Sequence, residues 1–338
     1  MDDACAECGA PASSSCGRCK LARYCNKDCQ RAAWRKHKHT CSIKLRIGKS
    51  VSGDGFGCFA REAFTIGEEL HREKPLLQWK AVRATRRDAT ALVQRRMHDA
   101  FESLPAASQA VAMGLSDTSL TRAAGDASSL WGVCQTNGIP IGCEDDDESR
   151  TPRSALFAVT CRINHSCTPN ARYLWRRDLG LELIFALRPL AAGEEVTVGY
   201  KTAYAGRAAR QATLHRSFNF ECTCATCSAP ASKASDERRD EIDRLRSQLQ
   251  EVGFADAPRA LEMAERILLV MQAEGLDTPI DVGTVHYASF QLHLASGDAV
   301  KAQQHLGQAC ECARLSEGIG SPLAAKYKAE LEELCGCG

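Results

Sequence analysis

The side chains best able to do chemistry in this sequence are its cysteines, 19 in all, and they are not scattered. Seven fall within the first 41 residues, in pairs completed by one histidine: Cys5 with Cys8, Cys16 with Cys19, Cys25 with Cys29, and His37 with Cys41. A Cys-x2-Cys knuckle aims two thiolates at one ion, and partners four residues apart share a helix face. Eight ligands are enough for two tetrahedral zinc ions. So short a stretch, with so little apolar content, has no adequate core of its own. Metal must supply much of its folding free energy. Disulfides are the competing reading, and the regular pairing argues against them. A second concentration of polar chemistry is Asn164-His165-Ser166-Cys167, set between apolar runs, and a third is Cys222, Cys224 and Cys227.

The elements that must hold these groups are legible in outline. A chain of 338 residues suggests two or three domains. With 44% hydrophobic and 25% charged residues it is ordinary for a globular protein, and a net charge of +1 gives no global pull toward nucleic acid or anionic membrane. The first ten residues lack a basic and apolar leader pattern, and no apolar run reaches the roughly 18 residues of a membrane span, so a soluble, intracellular protein is expected.

Residues 43–80 carry glycines and short β-like runs, and about 81–130 read as helices. An acidic run at 144–149 reads as a loop. "SALFAVTCRI", "LGLELIFAL" and "GEEVTVGY" read as strands or buried segments. "SAPASKAS" at 228–235 reads as a linker. Beyond it, apolar residues at helical spacing predict helices at about 236–252, 256–274, 279–296, 298–317 and 321–334. They suit either tetratricopeptide-like antiparallel pairs or an ordinary bundle. The fold class expected is α+β and multidomain: a finger over 1–42, a β-rich domain with a helical insert over 43–230, and a helical region over 235–338.

The order of the eight finger ligands, with the flanking "RYCNKDCQRAAWRKHKHTC", resembles a MYND zinc finger. That resemblance implies interleaved ligand sets: Cys5, Cys8, Cys25 and Cys29 on one zinc, Cys16, Cys19, His37 and Cys41 on the other. The series "GDGFGCFAREAFTIGEEL", "NHSC", "LAAGEEVTVGY" and "FNFECTCATC" resembles a SET domain with its post-SET segment. Together they resemble the SET and MYND domain-containing protein lysine methyltransferases. In the best-known members the finger interrupts the SET sequence, whereas here it precedes it, so their finger geometry does not carry over.

The resemblance implies that Cys167 joins Cys222, Cys224 and Cys227 on a third zinc, since the tail alone is one thiolate short of a closed site. It implies S-adenosylmethionine held by Asn164 and His165, largely through backbone groups. Gly53, Asp54, Gly55 and Phe56 of the glycine turn, where Gly57 also lets the chain pass close, would share in this, with Asn137, and Phe220 near the adenine. Tyr200 matches the active-site tyrosine, whose hydroxyl would orient the substrate amine. Phe218 stands where some relatives carry a second channel tyrosine, a change that bears on how many methyl groups are added. The implied substrate is a lysine-bearing protein, histone or not, in cytoplasm or nucleus, and the implied finger ligand is a proline-containing peptide.

The chain is expected to be monomeric and free of membrane. A catalytically weak scaffold acting by protein interaction is the alternative. A nucleic-acid surface rests only on a local excess of eleven Lys and Arg over four Asp and Glu in residues 1–50, for which a solvated basic face is the plainer reading. The remaining thiols, Cys58, Cys134, Cys143, Cys161, Cys310, Cys312, Cys335 and Cys337, lack a partner set and read as buried or free. Elemental analysis is expected to find three tightly held zinc ions per chain, one fewer after Cys5→Ser and one fewer after Cys224→Ser.

Overall fold

The computed structural model describes residues 4–17, 22–38, 44–51, 55–80, 87–118, 128–142, 152–200, 204–228 and 233–336. The finger is a two-stranded ribbon, β1 (Ser14–Ser15) against β2 (Arg23–Tyr24), followed by α1 (Lys27–His37). The Asn26 side chain accepts from the Cys29 N–H at 2.8 Å, so it caps α1 and at the same time fixes a cysteine-bearing turn. The apolar centre amounts to Tyr24 and Ala33 beside cysteines, as expected of a unit that metal must complete.

The middle of the chain is built from short strands in three small sheets. β3 (Leu45–Lys49), β4 (Phe56–Ala60), β12 (Glu195–Val198) and β9 (Asn164–His165) form one sheet in that order, with β9 and β12 parallel. β10 (Ala171–Arg176), β11 (Leu181–Ala186) and β5 (Glu69–Glu73) form the second. β6 (Leu77–Lys80), β8 (Arg153–Leu156) and β7 (Ile139–Pro140) form the third. The helical insert is α2 (Arg87–Glu102), α3 (Ala106–Met113) and α4 (Leu130–Asn137), packed on the third sheet through Met97, Val133, Leu77 and Leu156. The first two sheets share a core that contains Cys58, Leu70, Ile163, Ile184 and Val196. The acidic run 144–149, and with it Cys143, lies outside the described residues, as does Cys337.

After α5 (Arg207–Phe218) and the single turn α6 (Ala225–Ser228) come five long helices: α7 (Lys233–Val252), α8 (Ala257–Glu274), α9 (Pro279–Ala295), α10 (Ala299–Glu317) and α11 (Pro322–Leu334). Their ends follow local chemistry. Asp256, Asp298 and Ser321 accept backbone N–H groups at the starts of α8, α10 and α11, and Gly275, with φ of 68°, closes α8. The expected linker at 228–235 is shorter than its composition suggests. Ser228 still belongs to α6, and α7 has begun by Lys233. Its small residues are compatible with helix, and tertiary packing of α7 decides the matter.

The helical region does not hang free. Gly67 abuts Leu315 so closely that a Cβ there would come within 2.6 Å of the Leu315 side chain, and Gly318 lies against Phe185 in the same way. Arg176 donates to the Gly320 carbonyl at 3.3 Å, and the Tyr204 hydroxyl donates to Asp281 of α9. Among the described residues, no helix is long and apolar enough to cross a membrane.

One buried carboxyl strains this arrangement. Glu182 on β11 lies opposite Trp175 and Glu73, is wholly buried, and neither of its oxygens has a hydrogen-bond partner among the described residues. Burial, then the neighbouring Glu73 charge, push it up to about 8, so at neutral pH it holds its proton. The folded state therefore binds a proton that the unfolded state releases near pH 4.5, and stability falls as pH rises from there through about 8. Glu182→Gln is expected to flatten that fall. Denaturant midpoints of variant and wild type should be close at pH 4 and should separate in favour of the variant at pH 9.

Candidate active site and metal centres

The parallel pairing of Asn164 with Thr197 and His165 with Val198 sets the Asn-His pair beside the end of β12, with Tyr200 two residues beyond. These residues open on a cavity of about 670 Å³. Gly55, Phe56, Asn137, Asn164, His165, Tyr200, Phe218 and Phe220 all line it. The structure thus brings together the sequence-predicted cavity residues it describes other than Gly57, while Gly53 and Asp54 lie outside the described residues.

Most of the polar atoms here are already engaged, which limits what each residue can offer. The Asn164 amide donates to Glu195 at 2.8 Å and to the Phe56 carbonyl at 3.2 Å. The Asn137 amide donates to the Ser116 and Val133 carbonyls at 2.7 and 2.8 Å. Both leave a side-chain oxygen for a ligand. Glu195, which the sequence reading missed, is the hub of the glycine turn. It also accepts from the Ser50 hydroxyl at 2.9 Å and the Val51 N–H at 3.0 Å. Gly57, expected to give room to a ligand, instead gives room to this carboxylate, since a Cβ there would sit 2.1 Å from its oxygen. At Gly55 the space is open. Strand alternation was the available signal: Glu195 and Thr197 point opposite to the apolar Val196 and Val198.

His165 is buried, and desolvation holds its pKa down at about 4, so the ring is neutral. Its Nδ1 accepts the Tyr200 N–H at 3.1 Å, which places the proton on Nε2, 3.4 Å from the Cys167 sulfur. The ring therefore ties Tyr200 to the cysteine cluster. Tyr200 donates its hydroxyl to the Ile163 carbonyl at 2.9 Å, and burial raises its pKa, so it stays a neutral phenol with its lone pairs free. Phe218 packs on it at 4.8 Å between ring centroids and Phe220 meets it edge-on at 6.5 Å.

The cysteines gather into two described clusters, Cys5, Cys8, Cys25 and Cys29, and Cys167, Cys222, Cys224 and Cys227, each with all sulfurs within 4.8 Å of one another. In the first the sulfurs of Cys8, Cys25 and Cys29 stand 3.5 to 3.7 Å apart, and in the second Cys167 lies 3.9 Å from Cys222 and 3.5 Å from Cys227. A tetrahedron with Zn–S bonds of about 2.3 Å has edges of about 3.8 Å. A disulfide needs about 2.05 Å, and all eight cysteines are free. Zinc fits both clusters. Of the other finger set, Cys16 and His37 are described and Cys19 and Cys41 lie outside the described residues.

Two family models match the chain, the MYND finger over residues 5–41 and the SET domain over residues 55–201. The chain therefore carries a MYND finger followed by a SET domain. It is 24% identical over 285 residues to the histone-lysine N-methyltransferase set5 of Schizosaccharomyces pombe, covering 83% of this chain and 82% of that one. It is 28% identical over 237 residues to the human N-lysine methyltransferase SMYD2, covering 69% of this chain but only 51% of the relative. The Arabidopsis thaliana histone-lysine N-methyltransferase ASHR1 is 25% identical over 222 residues, covering 63% and 43%. The chain thus spans most of set5 and about half of the other two.

Two buried arginines that no motif marks lie against this cluster, and one of them faces its charge. Four thiolates around one zinc dication leave −2. Arg210 of α5, 1% exposed, donates toward the Cys227 sulfur at 3.7 Å and to the Ala205 carbonyl at 2.7 Å. Arg239 of α7, wholly buried, faces the Cys167 carbonyl at 3.4 Å and pairs with Glu274 at 2.8 Å. In sequence both sit in polar helical stretches that look solvated. Arg210→Met removes the cation and leaves the buried anion uncompensated. It is expected to cost about 3 kcal/mol in denaturant unfolding and to speed loss of one zinc equivalent to a chelator.

Proposed function

We propose that the chain is an S-adenosylmethionine-dependent protein-lysine N-methyltransferase. The observation that carries this is the single cavity where Asn164, His165 and Tyr200 meet an aromatic wall, closed from behind by the Cys167 cluster. Its volume, its open backbone at Gly55 and its unengaged Asn137 and Asn164 side-chain oxygens suit a nucleoside carrying an amino-acid tail. Asn164 and His165 would hold it through backbone groups, Gly53, Asp54, Gly55 and Phe56 would border it, and Phe220 would pack near the base. Bound there, S-adenosylmethionine supplies an electrophilic sulfonium methyl.

The attacking lysine amine must be neutral. With a free pKa near 10.4, only about one in 10^3 is neutral at pH 7, a cost of about 4.6 kcal/mol. His165 is not free to remove that proton, because it is engaged at both nitrogens. The chain works instead by desolvation. Tyr200, Phe218 and Phe220 form an apolar wall that disfavours the ammonium form. Tyr200, its own proton committed to Ile163, presents lone pairs that can accept from the amine and hold it in line. Phe218 offers no second hydroxyl, which removes a hydrogen-bond partner for the amine or for a water beside it.

The finger, of a class that binds proteins, would recruit a partner bearing a proline-containing peptide. A lysine-bearing protein substrate, action in cytoplasm or nucleus, and a monomeric state complete the proposal.

Calorimetry on zinc-replete protein is expected to show S-adenosylmethionine binding that Asn164→Ala weakens at least tenfold. Tyr200→Phe should keep that binding yet lose about 100-fold in transfer of labelled methyl to lysines of a protein extract. Folded, zinc-replete wild type that binds no S-adenosylmethionine would sink the enzyme reading in favour of a scaffold.

A further inference from the structure

The helical region holds three of the chain's nine histidines in one cluster. His286 of α9 and His305 of α10 bring their Nδ1 atoms to 3.1 Å, and their rings lie 5.3 Å apart. His293, two turns further along α9, stacks on His305 at 5.3 Å with planes 17° apart. We propose that His286 and His305 form a bis-imidazole site for a borderline divalent cation such as Zn2+, separate from the cysteine clusters and from the cavity.

The geometry is that of a ligand pair. Two nitrogens on a tetrahedral zinc, at about 2.0 to 2.1 Å from the ion, stand about 3.3 Å apart. A single N–H···N hydrogen bond also gives this distance, so the surroundings decide. Neither imidazole has another hydrogen-bond partner among the described residues. Both rings are half-buried, so an ion can reach them while two packed helices hold them. Burial lowers the pKa of both, which keeps their lone pairs available. Taking up the ion needs only a tautomer shift, with the proton moved to the outer nitrogen of one ring.

His293 is 7% exposed and has Asp298 3.8 Å from its Nδ1, so it backs His305 and restrains its ring, as groups behind a metal ligand do. Glu265 of α8 acts electrostatically on His305, as does the cation of Lys301 on α10. Water is available for the open positions, and imidazole suits Zn2+. The bound ion would tie α9 to α10.

The test uses the full chain with its cysteine clusters loaded and excess metal removed, titrated with Zn2+ against a fluorescent zinc indicator. Wild type is expected to take one further equivalent in the micromolar range. His286→Gln and His305→Gln should each lose it, and His293→Phe should keep it about tenfold weaker. Added Zn2+ should raise the thermal midpoint of wild type and not that of the first two variants. Wild type taking no further equivalent, or all three variants taking it as wild type does, overturns the proposal and leaves an ordinary hydrogen bond. Both substituted rings are half-buried, so helicity by circular dichroism should survive. Should one variant lose it, the other still reads the site.

Discussion

Four sulfurs drawn together from residues 167 and 222–227 are the contact on which the rest of the cavity depends. One comes from the loop after β9 and three from the segment after α5, more than fifty residues on. An ion that joins them pins that segment over Asn164 and His165 and brings Phe218 and Phe220 against Tyr200. The same centre creates a charge that must be met inside the protein. Arg210 meets it, and Arg239 of the helical region donates to the Cys167 carbonyl, so the clamp also touches α7. Buried cations of this kind hold position only because their partner is fixed and dry.

A second, smaller constraint works at the opposite wall. Glu195 gathers the Ser50 hydroxyl, the Val51 amide and the Asn164 side chain around one carboxylate, and Gly57 exists to let it in. His165 joins the two systems, with one nitrogen toward Cys167 and the other on the Tyr200 amide. A neutral, buried imidazole suits that task, because a charged one would disturb both ends.

The parts of this design that repeat in spacing were legible in the sequence. Paired cysteines, the Asn-His step and the five tail helices all show local periodicity or local chemistry. The interleaving of Cys5 and Cys8 with Cys25 and Cys29 was not in the spacing and came only from the likeness to MYND fingers. Arg210, Arg239, Glu195 and Glu182 were missed for one shared reason. Each is a charged residue in a segment whose local pattern reads as ordinary, and each is buried by an element distant in the chain. Single-sequence patterns record which face of an element is apolar. They do not record which distant surface arrives to cover the polar one.

The two described thiolate clusters differ sharply in shelter. In the finger Cys8 is exposed and Cys25 and Cys29 are partly so, whereas all four sulfurs behind the cavity belong to buried residues. Thiolates oxidise in proportion to their access. Peroxide or an electrophile therefore meets the finger first, while the sulfurs behind the cavity stay sheltered. The burial that assembles one centre also orders the sequence in which the protein fails.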